Sequence, residues 1–291
     1  MTEINGADTA WVLVSCALVL LMTPGLALFY GGMVNSKNVL STFMHSFIAL
    51  GVMTIQWVVI GYSLAFAPDI GNGLIGGFDH VMLMGVGHDT VRSGLTIPHV
   101  LFMGFQMMFA VITPALISGA IAERMKFSAY LIFIVAWGTL VYDPLCHWVW
   151  GGGWLGTRGA LDFAGGTVVH LSAGAGALVA AIVVGKRKRP SPPHNLTMTL
   201  LGAGLLWAGW FGFNAGSAFE ASARAGGALL ATQVAACAGA MLWGFCEFMR
   251  RGQWSVLGTM TGAIAGLIAV TPASGFVGFN GAMIIGAIAG V

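Results

Sequence analysis

Charge is the scarcest property of this sequence. Asp, Glu, Lys and Arg make up 8% of the 291 residues, while 57% are hydrophobic and the mean hydropathy is +0.87. That balance excludes an ordinary water-soluble domain and describes a chain dissolved in lipid. Paired cysteines are also missing: Cys16, Cys146, Cys237 and Cys246 fall in no metal-binding spacing and read as apolar helix residues. No nucleotide-binding loop, metal-ligand cluster or nucleophile–base arrangement stands out, so neither an enzyme nor a bound cofactor is expected. A net charge of +2 carries no message about nucleic acid. The start of the chain has Glu3 and Asp8 where a signal peptide would be basic, and Trp11–Tyr30 is long enough to stay as a span.

Apolar runs and glycine are plentiful. The 44 glycines lie within apolar stretches, where they fit close helix packing and broken helices better than disorder. The pattern predicts about nine spans, near 10–31, 40–66, 97–121, 127–144, 163–185, 196–217, 226–249, 255–271 and 275–291. With the N-terminus outside, Lys37, Arg124, Lys126, the run Lys186–Arg189, Arg250 and Arg251 fall in the cytoplasm. Nine basic residues then lie inside, against Arg92, Arg158 and Arg224 outside, as the positive-inside rule requires. Pro190 and Pro192-Pro193 follow the run, which reads as a solvated loop anchor. The expected fold class is all-α, a polytopic membrane helical bundle forming one domain over 1–291, with the cell inner (plasma) membrane as its expected location.

Between the fourth and fifth spans, Cys146-His-Trp-Val-Trp-Gly-Gly-Gly-Trp154 is aromatic yet too rich in glycine to extend a helix. It reads as an outer vestibule or a re-entrant piece. Leu28-Phe-Tyr-Gly-Gly-Met-Val-Asn-Ser36 ends the first span, and Trp210-Phe-Gly-Phe-Asn-Ala-Gly-Ser217 echoes it at the end of the sixth. Five spans separate the two, an odd number, so the second copy would be inverted, as in many transporters.

The 23 residues Phe163–Gly185 contain a single ionisable side chain, His170. A rise of about 1.5 Å per residue from Phe163 puts it roughly 10 Å into the hydrocarbon layer. An imidazole facing lipid there would lose its hydration, so a neighbouring helix or a water-accessible path is the better partner. Gly166 and Gly174, one turn to either side, would let another backbone come close. Trp150 precedes His170 on the outer side and offers an aromatic face for a cation, or an interfacial anchor. Phe105 and Phe109 share one face of the third span, and Phe213 and Ser217 share one face of the sixth. Such pairs are also ordinary packing in membrane helices. Asp162 starts the fifth helix, where a carboxylate caps exposed N–H groups or binds a cation. His45, His99 and His147 read as structural or solvated, and His80, His88 and His194 as loop residues.

The stretch Asp162–Leu178 resembles the ammonium transporter / methylammonium permease / Rhesus family, as do Trp148-Val-Trp-Gly-Gly-Gly153 before it and Gly209–Ser217 after it. Phe29-Tyr-Gly-Gly-Met33, Phe105-Gln-Met-Met-Phe109, Ala122-Glu-Arg124, Gly262–Leu267 and Thr271-Pro-Ala273 follow the same order. The likeness runs from about Leu18 to the end of the sequence. It implies a homotrimer whose subunits each hold a pore between two inverted five-helix halves, here about 10–185 and a partial copy, about 196–291. By motif, Trp150 and Ser217 belong to the outer ammonium site with Phe105 nearby, Phe109 and Phe213 to a stacked gate, and Asp162 to the scaffold beside them. His170 is one of two pore histidines. The family's second lies on a tenth helix, whereas this sequence stops at Gly286-Ala-Ile-Ala-Gly-Val291, so the second half is expected to be incomplete. The resemblance further implies a P-II signal protein that plugs the cytoplasmic mouth, with much of the expected docking surface on a tail beyond Val291.

The expected activity is transport of ammonium or methylammonium. The ion is held at the aromatic site, loses a proton at a dry gate, and crosses as ammonia past His170. Potassium has no proton to give up. The competing readings are an ammonium sensor that binds at the same site without conducting, and a neutral-solute channel with no need of Trp150.

Overall fold

The computed structural model describes residues 3–188 and 191–291; Arg189 of the basic run and Pro190 lie outside the described residues. Among the described residues, seven helices are long and apolar enough to cross a membrane: α1 (Gly6–Met33), α2 (Ser36–Phe66), α3 (His99–Ile121), α4 (Phe127–Thr157), α5 (Gly166–Val184), α6 (Leu196–Gly216) and α7 (Ala223–Arg251). Two shorter apolar helices follow, α8 (Val256–Val270) and α9 (Phe279–Ala289). The fold is all-helical among the described residues, apart from two isolated β-bridges in the loop between α2 and α3. Helix starts are closed by side chains that accept the unpaired first N–H groups: Asn5 for α1, Asn195 for α6, Ser222 for α7 and Ser255 for α8.

Helices α1 and α6, which carry the two echoed motifs, pack together more extensively than any other pair. Glycine makes this possible. A Cβ on Gly202 would collide with the backbone of Phe29 and Gly25, and one on Gly25 would crowd Leu205, Leu206 and Gly202 in return. The two main chains therefore meet without a side chain between them. Helix α3 is the most deeply buried span and lies against α1, α2 and α5.

Two expectations about local structure change. The helix predicted to end near residue 144 runs on as Asp143–Trp150, and the chain breaks only at Gly151–Gly153. His147 anchors that extension, because its ring nitrogens meet Ala65 O (3.0 Å) and Asp69 Oδ1 (3.1 Å) and give a buried polar group its partners. Asp69 also accepts from Gly73 N and Gly71 N; chiefly the Gly73 hydrogen bond, together with those from His147 and Gly71, holds its carboxyl below the usual range. The second change concerns α5, which begins with a π-helical stretch, Gly166–Leu171. Gly165 O accepts from both Val169 N (2.9 Å) and His170 N (3.0 Å), so the spacing of 3.6 residues per turn fails there. Gly166 does take a close neighbour, the ring of Pro272, whereas a Cβ on Gly174 would meet nothing within 4 Å among the described residues.

At the basic end of the bundle, Glu123 ties three helix ends together. It accepts from Asn35 N (3.0 Å) and Asn38 Nδ2 (2.8 Å) and pairs with Arg187 (3.6 Å). At the opposite end, Asp8 accepts from Ala221 N (2.8 Å) and from the Thr96 hydroxyl, fixing the loop after α6.

Candidate functional site

The turn before α5 organises the site. Asp162 Oδ1 accepts from Gly165 N (2.8 Å) and Gly166 N (2.7 Å), and Oδ2 from Thr167 N (2.8 Å) and Val168 N (3.1 Å). One carboxylate thus satisfies four N–H groups at a helix start, where negative charge is also favoured by the helix dipole. Gly165 makes the turn at φ 112°, in the left-handed region, which a side chain would strain. The carbonyl of Asp162 accepts from Trp150 Nε1 (2.8 Å), which orients the indole. Trp150 and Asp162 are twelve residues apart and are joined by this one turn.

Trp150, Asp162 and Ser217 border a cavity of about 330 Å³ at the end of the bundle opposite the basic one. Phe66, Phe102, Gln106, Phe163, Phe219, Phe276 and Arg224 complete its wall. The hydroxyl of Ser217 donates to Phe213 O (2.8 Å), leaving its lone pairs for another donor. Phe105 does not line this cavity. It is fully buried behind it, 4.9 Å from the ring of Phe109 and 5.4 Å from that of Phe219.

Beneath the cavity lie two phenyl rings. Phe109 and Phe213 have centroids 4.4 Å apart and planes tilted by 51°, and Trp150 meets Phe109 edge-on at 5.9 Å. Beyond them, His170 stacks on Phe213 (5.5 Å) and on Trp210 (5.3 Å). His170 faces a second, narrow cavity of about 80 Å³ whose other walls are apolar, among them Met22, Leu26, Ile112, Leu116 and Leu206. Its Nε2 is buried and has no hydrogen-bond partner among the described residues. The polar atoms of the surrounding aromatics are turned elsewhere: Trp210 Nε1 donates to Thr271 Oγ1 (2.9 Å) and the Tyr30 hydroxyl to Leu116 O (2.8 Å). The order is therefore polar-walled cavity, aromatic cup, ring pair, imidazole, apolar cavity.

Gln106, Phe102, Phe219, Arg224 and Trp210 are site residues that sequence reasoning passed over. Trp210 lies three residues before Phe213 and Gln106 three before Phe109, so helical spacing alone could have drawn both in. Phe219 and Arg224 follow the end of α6 and reach the cavity through a loop whose path the sequence does not disclose.

Comparison with known proteins identifies the family and the fold. The family model described as Ammonium Transporter Family matches residues 10–291. The chain is 56% identical to an ammonium transporter of Bacillus subtilis over 285 residues, covering 97% of this chain and 70% of that protein. It is 50% identical to one from Aquifex aeolicus over 292 residues, covering 99% and 68%. Among solved structures, Saccharomyces cerevisiae Mep2 superposes with a TM-score of 0.93 at 39% identity, covering 99% of this chain and 66% of that one. A protein described as a sensor Amt protein superposes at 0.91 with 30% identity, covering 98% and 72%. The chain thus spans about two thirds of the length of these relatives. With this fold, these stacked cavities and these matches, the chain belongs to the ammonium transporter family and is a multi-pass membrane protein.

Proposed function

We propose that this chain carries ammonium across the membrane by separating it into ammonia and a proton. The observation that carries the reading is the ring pair Phe109–Phe213, set between a polar cavity and an apolar one that holds a single imidazole. Ammonium is drawn to the face of Trp150 by cation–π attraction and donates to the free lone pairs of Ser217. A bare ion entering the inner cavity would lose nearly all of its hydration, at a cost of tens of kcal/mol in the limiting case. Ammonium avoids this by breaking one N–H bond at the rings. The electron pair stays on nitrogen, the proton is taken over through His170 and released on the far side, and neutral ammonia moves through the apolar passage. Potassium has no such exit.

The reading extends to a single membrane domain built of two inverted half-repeats, about 10–185 and 196–291, a homotrimer in the plasma membrane, and a P-II signal protein at the basic face. The family relationship and the inverted echo of α1 in α6 support these points. Purified chain in liposomes, loaded with a pH-sensitive dye and pulsed with methylammonium, tests the activity. Uptake should be saturable, and His170→Ala should lower it at least tenfold or admit potassium. Full rate and selectivity in His170→Ala would remove the imidazole from the scheme. Binding at the outer cavity without flux in the unaltered chain would leave a sensor.

A further inference from the structure

The outer cavity is poor in unspent acceptors. Both oxygens of Asp162 are occupied by four backbone N–H groups, so its carboxylate offers no open lone-pair direction of good geometry. Trp150 spends its only N–H on Asp162 O and presents just a ring face. Arg224 is itself a cation. One side chain stands apart. Gln106 lines the cavity, is 5% exposed, and its Oε1 is buried without a hydrogen-bond partner among the described residues. A buried carbonyl oxygen left without a donor is unfavourable, and in a native site it calls for an explanation. The explanation here lies in its position. Gln106 is three residues before Phe109 on α3, one turn above the ring pair, where a cation must give up its last waters.

We propose that Gln106 is the acceptor that recognises the N–H groups of the cation at the floor of the outer cavity, and so helps to set substrate specificity. The inference rests on the transport reading above and deepens it. The terminal torsion of glutamine is soft and roughly two-fold, so the amide turns its oxygen toward a ligand that has only donors to offer. Ammonium, with four such donors, bonds Ser217 and Gln106 together while resting on the Trp150 face. Methylammonium has three and is held with less orientational freedom. A quaternary ammonium has none and sees only the aromatic surface.

The test uses the full chain in liposomes, with Gln106→Leu, Gln106→Met and Gln106→Glu beside the unaltered protein. Half-saturation and maximal rate are measured for ammonium and methylammonium. A lost hydrogen bond to a charged partner should raise half-saturation about tenfold or more in the Leu and Met variants, with the maximal rate changed by less than about threefold. Gln106→Glu keeps an acceptor and should hold ammonium as tightly as the unaltered chain or tighter. Inhibition of methylammonium uptake by tetramethylammonium, at whatever potency the unaltered chain shows, should not change in the Leu and Met variants. Unchanged half-saturation in Gln106→Leu, while the unaltered chain conducts, overturns the assignment and leaves the transport reading intact. Failure of both apolar variants to yield folded protein, or an equal loss in Gln106→Glu, assigns Gln106 to the scaffold and also overturns it. No uptake by the unaltered chain is a failure of the transport reading itself.

Discussion

Replacing Asp162 by asparagine removes one charge and hardly alters shape, and the geometry says that this is a severe change. An asparagine in the same rotamer keeps one oxygen, which can still accept from Gly165 N and Gly166 N. Its other terminal group becomes an NH2 pointed at Thr167 N and Val168 N, so two acceptances at 2.8 and 3.1 Å turn into donor–donor contacts. Each lost hydrogen bond to an ionised group contributes roughly 1.5–3 kcal/mol, so the total is about 3–6 kcal/mol before any relaxation. For a chain of this size that corresponds to a fall in melting temperature on the order of 10 °C. Thermal unfolding in detergent, followed by tryptophan fluorescence or by retention of a monodisperse size-exclusion peak, reads it directly. The indole of Trp150 hangs on the same turn, so cation affinity should fall with stability. An Asp162→Asn variant that melts at the unaltered temperature and only raises half-saturation would refute the capping argument, because it would make the carboxylate an electrostatic lure and not the stay of a helix.

Two further outcomes follow from charges at the two ends of the bundle. Arg224 is an exposed cation on the wall of the outer cavity, so Arg224→Gln should lower half-saturation for methylammonium about two- to threefold at low ionic strength, and the gain should vanish near 1 M salt, where the Debye length falls to about 3 Å. At the basic end, burial opposes ionisation of Glu123, but hydrogen bonds from Asn38 and Asn35 N and the nearby Arg187 and Arg124 outweigh it and hold the carboxyl below its ordinary value. A lowered value means that the stabilisation is fully present above the unfolded-state value near 4.5 and is lost as pH falls through the folded-state value. Melting curves taken from pH 7 down to pH 3 should therefore show an acid-induced loss that is reduced in Glu123→Gln; identical acid profiles would count against this role.

Hydropathy made the spans readable because it reports how well a segment dissolves in lipid, and α1, α3 and α6 need nothing else to be found. It is nearly silent about which way a helix is turned. Helix α3 is largely apolar all round, so Phe102, Phe105, Gln106 and Phe109 look equally fit for the pore, and only packing sends Phe105 behind the cavity wall while Gln106 borders the cavity. The motif around Asp162 pointed to the right turn, but not to the four N–H groups gathered on one carboxylate, since that depends on the left-handed Gly165. The continuation of α4 to Trp150 was hidden for a similar reason. Three consecutive glycines suggested an early break, and the contacts that hold the extra turns, His147 to Ala65 O and Asp69, come from residues about eighty positions earlier. A π-helical turn such as Gly166–Leu171 leaves no periodic trace in a sequence, and the Pro272 ring that lies against Gly166 is about a hundred positions further on.

The meeting of Gly25 with Gly202 has a bearing on what solutes such a protein could be adapted to carry. Leu26, Phe29 and Leu206 beside that crossing line the inner passage, so the distance between those side chains is fixed by two main chains in direct touch. Shaving those leucines would open pockets at the margin while the two rods stay clamped at their waist. A version admitting bulkier amines would have to part the rods, undoing the contact on which the bundle is centred. Small cargo is thereby built into the scaffold.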